Sequence, residues 1–381
     1  GIRSICSNSW LISIRFMSSD ILKNLNPGIE DLHPYEPGRS IDEVVAEFGH
    51  HQVVKLASNE NPLGASPKAL SVIAELESDL HLYPDGNGTK LKYAIANHEN
   101  VSTNNIIIGN GSNEILELVA RAFLNSNTSA IASKHAFAVY KIVTQSSGAS
   151  LIEVPTTNWS HDLNSFSDHL EQDTKVIFIA NPNNPTGTYN NHDEVYSLLK
   201  KVPSSVLVVL DCAYFEYVTK EDYIIPLDLL NEFDNLLITK TFSKIHGLAS
   251  IRVGYGIANP SVIEVLNRIR QPFNVNTIAQ AMACVAINDY EHISQSIELN
   301  SQQYEFLFDE LSKLGLECIP SVGNFITFKG NFIGQEMFNN LMEKGVIVRS
   351  VDLYDMKDFI RVTIGTEAEN LKFLSALKEL L

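Results

Sequence analysis

The sequence predicts an α/β protein in which a large domain with a mostly parallel, doubly wound β-sheet is followed by a smaller α+β domain. From about residue 104, short β-branched runs alternate with amphipathic helical patterns; after residue 260, long helical stretches precede a few strands. Strands that are apolar throughout are typical of a parallel sheet covered by helices on both faces. The chain has 381 residues, which is more than one hydrophobic core usually holds.

Six β-branched segments are the predicted strands of the large domain. They are NIIIG (105–109), SAIAS (129–133), KVIFIAN (175–181), VLVVLD (206–211), NLLITKT (235–241) and VGYGIA (253–258). Helical patterns such as NEILELVARAFL separate them. In a sheet of this kind ligands bind at the carboxyl ends of the strands, so polar residues at those ends are candidate site residues.

The C-terminal third is predicted to hold the small domain. Its strands are NFITFK (324–329), VIVRSV (346–351) and FIRVTI (359–364), and its terminal helix is 367–381. We expect the two domains to share a long helix near 260–300. The predicted divisions are a non-native or leader segment (1–16), an N-terminal segment joining the small domain (17–54), the large domain (55–265) and the small domain (266–381).

Composition excludes several classes of protein. Hydrophobic residues make up 44% of the chain and charged residues 19%, and no apolar run reaches eighteen residues, which argues against a membrane span and against disorder. The net charge of −17 repels nucleic acid and anionic lipid, so we expect neither as a partner. Any anionic ligand must then depend on local arginines and lysines.

The cysteines and the N-terminus bear on location. Four cysteines lie far apart without a C-x-x-C pair, and no His, Cys, Asp or Glu cluster suggests a metal site. These features fit a reducing cytoplasm.

The first sixteen residues carry Arg3 and Arg15 and no acid, as a transit segment does. We prefer to interpret Met17 as the natural start and the preceding stretch as non-native or leader sequence.

The segment TFSKIHGLASIRVGY (241–255) is the most informative motif. It places Lys244 where a strand ends and a helix is expected to begin. An apolar strand that delivers a lysine into a cleft buries an ammonium group unless the amine is consumed, and a Schiff base with an aldehyde cofactor consumes it. Arg252, eight residues later, can return over the helix as a phosphate partner. The alternative is a surface lysine after a strand.

Two other strand ends carry polar groups that complement such a cofactor. Strand VLVVLD ends in Asp211, and DCAY places Tyr214 three residues later; NPNNPTG (181–187) places Asn184 directly after strand KVIFIA. A carboxylate at the nitrogen of a pyridine ring keeps that ring protonated, so that it withdraws electrons. A phenol and an amide can bond the ring's phenolic oxygen. A helix cap for Asp211 and a turn role for Asn184 are the alternatives.

The segment GNGSNE (109–114) follows strand NIII and is predicted to open a helix. Its glycines let backbone N–H groups approach a phosphate at the helix N-terminus. The sixth position is Glu114 rather than Gly or Ala, so the dinucleotide fingerprint fails, and the Walker A spacing is absent as well. A single small phosphate suits the segment better.

Together these motifs resemble the fold-type-I aminotransferases, enzymes that use pyridoxal 5′-phosphate (PLP), and most closely the histidinol-phosphate aminotransferase family. The resemblance covers roughly residues 26–381. The motifs that carry it, in the family's order, are LHPYEPG (32–38), KLASNENPLG (55–64), YPDGNG (83–88), GNGSNE, HAFAVY (135–140), NPNNPTG, DCAY, TFSKIHGLASIRVGY, VIVRS and FIRVTIGT.

The resemblance implies a role for individual residues. Lys244 is the Schiff-base lysine and proton shuttle, Asp211 meets the pyridine nitrogen, and Asn184 and Tyr214 meet the ring oxygen. Phe137 stacks on the ring, where relatives usually carry Tyr or Trp. The implied phosphate cup consists of Gly111, Ser112, Asn113, Thr241, Ser243 and Arg252. The chain departs from the family at Ala249-Ser250, where relatives commonly have Ala-Gly, and at His246, which we interpret as a packing or surface residue.

The resemblance also implies the partners and the substrate. We expect a homodimer with shared active sites, in which Tyr83 reaches the partner's PLP phosphate. The expected reaction is transamination between L-histidinol phosphate and 2-oxoglutarate, with Arg361 and Arg349 binding anions and Tyr35 adding a hydroxyl over the substrate. A surface ion pair for Arg349 and a buried aromatic for Tyr83 are alternatives. Aromatic amino-acid transamination, phosphothreonine decarboxylation and a PLP-binding regulatory module stay open as other functions.

Overall fold

The structure is a computed structural model that describes residues 24–32, 38–49 and 52–381, without the side chains of 77–79. Tyr35 and the segment 1–16 therefore lie outside the described residues. Within the described part, no helix combines the length and the apolar character needed to cross a bilayer. No group of three or more His, Cys, Asp or Glu side chains in that part is placed to hold a metal ion.

Helices account for much of the described chain. They are α1 (Ile41–Phe48), α2 (Pro67–Ser71), α3 (Thr89–Glu99), α4 (Ser112–Phe123), α5 (Ala138–Ser146), α6 (Leu163–Asp168), α7 (His192–Lys201), α8 (Pro260–Ile269), α9 (Thr277–Ala286), α10 (Tyr290–Lys313), α11 (Gly334–Glu343) and α12 (Glu367–Lys378). Several begin at a side-chain cap: Asn191 and Thr366 accept backbone N–H groups of α7 and α12 and complete capping boxes with the glutamate three residues later.

The large sheet has seven strands. They are β2 (Ile106–Gly109), β3 (Ser129–Ser133), β4 (Ser150–Val154), β7 (Thr174–Ala180), β8 (Leu207–Asp211), β9 (Leu236–Thr241) and β10 (Gly254–Ala258), in the order β2-β10-β9-β8-β7-β3-β4. Strand β10 runs in the direction opposite to the other six strands, which are parallel to one another. The six predicted strands and the mostly parallel sheet are confirmed.

Helices cover both faces of this sheet because its strands are apolar on both faces. Phe178 of β7 packs in one buried cluster with residues of α4, α5 and α8. Its neighbours Ile177 and Ile179 pack in a second cluster with α6 and α7. This alternation is what a doubly wound sheet requires. The polar residues that follow the strands are left at the carboxyl edge.

A second, antiparallel sheet lies in the C-terminal part. Its strands are β11 (Glu317–Ile319), β12 (Phe325–Lys329), β14 (Arg349–Ser350) and β15 (Phe359–Thr363), in the order β11-β12-β15-β14. Residues of α10, α11 and α12 form one buried cluster with it. The predicted segment 346–351 is divided between β13 (Val346–Ile347) and β14, and β13 pairs in parallel with β1 (Val54–Lys55). The short strands β5 (Thr156–Thr157) and β6 (Ser160–His161) form a hairpin.

The proposed domain boundaries can be placed on this architecture. The boundary near 265 falls inside α8, after the last strand of the large sheet and before the first strand of the small one. The N-terminal segment meets the C-terminal part: Val44 of α1 packs with Met342 and Ile347 in a small cluster. The division of the chain into domains remains a proposal.

Two local predictions are wrong. The segment expected to be one long helix near 260–300 contains α8, α9 and the start of α10. A helix cannot continue from α8 into α9, because Pro272 lacks an N–H group and Phe273 has a left-handed backbone (φ 56°). The long helix is α10, with 24 residues. No helix begins at Lys244 either. The carbonyl of Ile245 accepts a bond of 2.8 Å from the Asn61 side chain, and Gly247 turns with φ +66° where a Cβ would lie 2.1 Å from Gly64 O.

Candidate active site

A cavity of about 260 Å³ lies at the carboxyl ends of β7, β8 and β9 and is closed on one side by residues of β14 and β15. Most of the predicted site residues line it: Ser112, Asn113, Phe137, Asn184, Asp211, Tyr214, Thr241, Ser243, Lys244, Arg252, Arg349 and Arg361. The arrangement follows from the topology, because parallel strands end at one edge of the sheet. The two sheets together therefore assemble residues up to about 250 positions apart in the chain.

Lys244 follows β9 and reaches the centre of this cavity. Its Nζ donates a hydrogen bond of 2.9 Å to Ser58 O and lies 5.6 Å from the centre of the Tyr214 ring. Desolvation, and after it the positive charge of Arg361, lowers the pKa of Lys244 from 10.5 to about 7. An amine with such a pKa is largely available as a nucleophile and as a base near neutral pH.

Asp211 ends β8 and is buried in the cavity wall. Its Oδ2 accepts a bond of 2.9 Å from the Tyr140 hydroxyl, and its Oδ1 accepts one of 3.0 Å from Thr239 Oγ1. Burial raises the pKa of this carboxyl, against the lowering effect of the two hydroxyl bonds. No cation of the described residues forms an ion pair with it, so the acid can balance a positive charge on a ligand.

Tyr214 lies beside Lys244 and is held by a residue that the sequence did not point to. The Tyr214 hydroxyl accepts a bond of 2.9 Å from Asn59 Nδ2, and burial raises its pKa to about 12. Asn59 is itself fixed by β15, because its N–H donates to Thr363 Oγ1 at 2.9 Å. The phenol is thus neutral at physiological pH and keeps its proton for donation.

Arg361 and Asn184 form a contact between the two sheets. Arg361 of β15 is buried, and it donates through Nη1 to Asn184 Oδ1 and through Nη2 to Ala57 O, the latter at 2.8 Å. The guanidinium also lies 5.3 Å from the centre of the Phe325 ring. Since the amide oxygen of Asn184 faces the arginine, its Nδ2 donor is the group left for a ligand.

Arg349 of β14 is the direct register partner of Arg361 across the β14–β15 pair. Residues directly opposite in an antiparallel pair project from the same face of the sheet. Arg349 is half-buried and lines the same cavity, which is the position expected of a second anion-binding arginine. Two guanidinium groups on one wall make the cavity suitable for anionic ligands.

The predicted phosphate cup is assembled from three separate segments. Helix α4 begins at Ser112, directly after Gly111, whose backbone is left-handed (φ +78°) and whose missing side chain leaves room for Arg252. A Cβ on Gly111 would lie 2.5 Å from Arg252 Nη2. Arg252 Nη1 is 3.4 Å from Ser243 Oγ, and the Ser243 N–H donates to Thr241 Oγ1 at 3.1 Å. Helix N–H groups, hydroxyls and a guanidinium thus converge on one spot.

Two other residues singled out in the sequence, Tyr83 and His246, are not among the described residues that line the cavity. Tyr83 is 82% exposed, and its ring stacks on Phe273 with the centroids 4.7 Å apart. Gly38, which follows the undescribed residues around Tyr35, lines the cavity. His246 packs against Phe242, and burial lowers its pKa to about 3, so it is uncharged at neutral pH.

Sequence reasoning missed four residues of the site: Tyr140, Thr239, Asn59 and Tyr354. Each lies inside or beside a motif already recognised, because HAFAVY contains Tyr140 and KLASNENPLG contains Asn59. The available signal was position: Tyr140 is three residues after Phe137, one turn along α5, and therefore on the same side of that helix. Tyr354, from the 3₁₀-helix Asp352–Tyr354, lines the cavity near the two arginines.

Comparison with known proteins agrees with this geometry. The family model of class I and II aminotransferases matches residues 51–377. Histidinol-phosphate aminotransferase 2 of Pseudomonas fluorescens (strain Pf0-1) is 49% identical over 367 residues, which cover 96% of this chain and 99% of that protein. Histidinol-phosphate aminotransferase of Caldicellulosiruptor saccharolyticus is 47% identical over 353 residues, which cover 93% of this chain and 99% of that protein.

A solved structure shows the same fold. The crystal structure of histidinol-phosphate aminotransferase from Sinorhizobium meliloti in complex with pyridoxal-5′-phosphate superposes with a TM-score of 0.85, at 24% identity. The match covers 94% of this chain and 98% of that one. By its sequence over most of its length and by its fold, this chain belongs to the class I and II aminotransferase family.

Proposed function

We propose that this chain is a PLP-dependent aminotransferase that uses L-histidinol phosphate as amino donor and 2-oxoglutarate as acceptor, producing imidazole acetol phosphate and L-glutamate in histidine biosynthesis. The observation that carries the substrate assignment is the pair Arg349 and Arg361, register partners that line the cavity of Lys244. The similarity to relatives with that name, at 47–49% identity over nearly the full chain, supports it.

The donor set of the cavity fits PLP. The cofactor has an aldehyde, a pyridine nitrogen, a phenolic oxygen and a phosphate, and the cavity offers a different group for each. Lys244 supplies the amine and Asp211 the buried carboxylate. The missing side chain of Gly111 lets the Arg252 guanidinium lie against the start of α4, where the phosphate is proposed to bind. Phe137 supplies an apolar ring surface in place of the Tyr or Trp of relatives.

Bound PLP supplies an electron sink for the pair left behind when a proton leaves the substrate α-carbon. The protein then needs one mobile base, and Lys244 Nζ is placed for that role. With its pKa lowered to about 7, it can take the α-proton as a free amine and deliver it again as an ammonium. No histidine base is required, which agrees with the packing of His246 away from the cavity.

Asn184 and Tyr214 are proposed to bond the phenolic oxygen of the ring. Both are buried beside Lys244 and both have a donor left for a ligand, Asn184 through Nδ2 and Tyr214 through its hydroxyl. The bond from Asn59 to the Tyr214 oxygen directs the phenolic proton elsewhere, that is, toward the cavity. Asn59 is thus proposed to orient the tyrosine.

The two arginines are proposed to have different roles in binding the anionic groups of the two substrates. A phosphate monoester and a carboxylate both match a planar guanidinium fork, so one site can accept both substrates in turn. Arg361 is held by Asn184 and Ala57. Arg349, beside it, supplies the additional charge that favours the phosphate. Tyr35 is proposed to add a hydroxyl over the substrate.

We propose further that the chain forms a homodimer with shared active sites and works in the cytoplasm. An exposed aromatic pair such as Tyr83 and Phe273 is typical of an interface, and Tyr83 is the residue proposed to reach the partner's PLP phosphate. The free thiols of Cys212, Cys284 and Cys318 fit a reducing compartment.

The test is a comparison of kcat/KM for histidinol phosphate, histidinol, phenylalanine and tyrosine with 2-oxoglutarate as acceptor. Histidinol leaves the phosphate-binding charge unpaired and is expected to be poorer than histidinol phosphate by a factor on the order of 10² or more. A higher kcat/KM for phenylalanine or tyrosine than for histidinol phosphate would overturn the substrate assignment, while the assignment of aminotransferase activity would stand. Product analysis that found carbon dioxide from phosphothreonine would favour the decarboxylase.

A further inference from the structure

Each oxygen of the Asp211 carboxylate has its own side-chain donor, and the two donors come from different elements. Tyr140 of α5 donates to Oδ2 at 2.9 Å, and Thr239 of β9 donates to Oδ1 at 3.0 Å. The three side chains are almost fully buried, with exposed fractions of 4% for Asp211, 1% for Tyr140 and 0% for Thr239. The carboxylate is therefore fixed in direction and is shielded from water.

Tyr140 has a second contact, with Phe137, the residue proposed to stack on the cofactor ring. It follows Phe137 by one helical turn, and the Phe137 ring meets it edge-on with centroids 5.7 Å apart. On the other side Tyr140 stacks on Phe178 of the core at 5.0 Å and an interplanar angle of 5°. One buried phenol thus supports both the residue proposed to stack on the ring and the acid proposed to meet its nitrogen.

The charge of Asp211 depends on these donors. Desolvation raises the pKa of Asp211; the Tyr140 and Thr239 hydroxyls, the Ala213 N–H and the charge of Lys244 lower it. The phenols of Tyr140, Tyr214 and Tyr223 and the thiol of Cys212 also interact with it, and burial keeps all four neutral by raising their pKa values. The hydroxyl bonds are therefore the principal means by which the protein stabilises the ionised form.

We infer that Tyr140 is a positioning residue: together with Thr239 it keeps the Asp211 carboxylate ionised and in a fixed orientation. The proton shared with the cofactor then resides on the ring nitrogen. This inference rests on the proposed function. A carboxylate that accepts two hydroxyl bonds is a weaker base than one that accepts none. Without the Tyr140 donor the shared proton shifts toward Asp211, and the ring loses positive charge and electron-withdrawing power.

The test is Tyr140→Phe, read through the pH titration of the visible absorbance of the bound cofactor. A ring with less positive charge makes the link between Lys244 and the cofactor harder to deprotonate. The midpoint of the absorbance titration is therefore expected to rise by about one pH unit, the size of change that the loss of one hydrogen bond to a charged group implies. We expect kcat to fall about tenfold while KM changes much less. Thr239→Val should shift the midpoint in the same direction.

Tyr255→Phe is the matched control. The Tyr255 hydroxyl also donates to a buried carboxylate, that of Glu99, but neither residue lines the cavity. It should lower thermal stability as Tyr140→Phe does and leave the titration midpoint unchanged. A wild-type midpoint in Tyr140→Phe would overturn the inference, and if that variant does not fold, a wild-type midpoint in Thr239→Val would do so. Failure of the wild-type chain to bind PLP would instead contradict the proposed function.

Discussion

Arg349 and Arg361 are directly paired across the antiparallel strands β14 and β15, and both line the cavity that contains Lys244. The pairing places two guanidinium groups on one face within a protein whose net charge is −17. Like charges at directly opposite positions destabilise a sheet. The arrangement is therefore understandable as an anion site, and it leads to a prediction that separates the two half-reactions.

Arg361→Ala is expected to lower kcat/KM by a factor on the order of 10² in both half-reactions, because each substrate anion loses its buried partner. Arg349→Ala is expected to impair the reaction of histidinol phosphate more than that of glutamate. Single-turnover absorbance measurements with each donor check this. Arg268→Ala, which removes an exposed arginine paired with Glu264 one turn away, is the control. Equal losses for both donors in Arg349→Ala would contradict the division of roles.

Lys244 is expected to make the stability of the cofactor-free protein depend on pH. Its pKa is lowered from 10.5 in an ordinary lysine to about 7, so between these pH values the unfolded chain binds the extra proton and stability rises with pH. Lys244→Met removes the destabilisation that arises when the folded protein keeps this buried amine unprotonated. Its melting temperature should therefore exceed that of the wild-type chain by several degrees at pH 7, and the difference should shrink toward pH 10.5.

Thermal melts of the two cofactor-free proteins across this range measure the effect. Lys357→Met controls for replacing a lysine by methionine at an exposed position. A difference that is constant in pH, or that grows as the pH rises, would contradict the assigned desolvation of Lys244.

Gly111→Ala is expected to weaken PLP binding about tenfold or more. The new Cβ would lie 2.5 Å from Arg252 Nη2, so the guanidinium must shift away from the start of α4, where the phosphate is proposed to bind. Gly315→Ala is the control for a glycine of positive φ: φ is +77° there, against +78° at Gly111, but nothing lies within 4 Å of the added atom. The Gly111→Ala protein should also lose about 1–3 kcal/mol of stability, because φ +78° with ψ 163° is a conformation that side chains other than glycine rarely adopt.

Titration of each protein with PLP, followed by absorbance, gives the affinities. Equal affinities of the Gly111→Ala and Gly315→Ala proteins would show that the close approach of Arg252 to Gly111 is not needed for phosphate binding.

Mixed dimers test whether Tyr83 acts across a subunit interface. Tyr83→Phe and Lys244→Ala homodimers are each expected to be impaired, and their heterodimer should recover activity, because one of its two sites then has both an intact Lys244 and an intact partner tyrosine. Lys244→Ala mixed with Asp211→Asn should not recover, since both changes fall within the same subunit's site. Absence of recovery with Tyr83→Phe, despite proven subunit exchange, would contradict shared sites.

The site residues that the sequence predicted are those that follow strand ends. Asp211 ends strand β8, and Asn184 and Lys244 lie in the short segments that follow β7 and β9; parallel strands bring such positions to one edge. Local sequence therefore contained the information about their convergence. Arg349 and Arg361 were implied by the family resemblance and lie in two predicted C-terminal strands, but their direct pairing is a finding of the structure.

The residues that the sequence did not predict act through contacts between distant segments. Tyr140 is 71 positions from Asp211, and Asn59 is 304 positions from Thr363, so neither contact has a local signature. The expected helix after Lys244 fails for the same reason. The Ile245 carbonyl, which a helix would use, is taken by Asn61 from another segment, a tertiary contact that overrides the local pattern.

Lys244 is proposed to carry the cofactor and to be released from it by the substrate. Borohydride reduction of the PLP-loaded protein, followed by peptide mapping with mass spectrometry, identifies the lysine that carries the cofactor. We expect the reduced cofactor on Lys244 alone, and none there when histidinol phosphate is added without 2-oxoglutarate before reduction. Label on another lysine such as Lys240 or Lys55, or label on Lys244 that the amino donor does not remove, would contradict it.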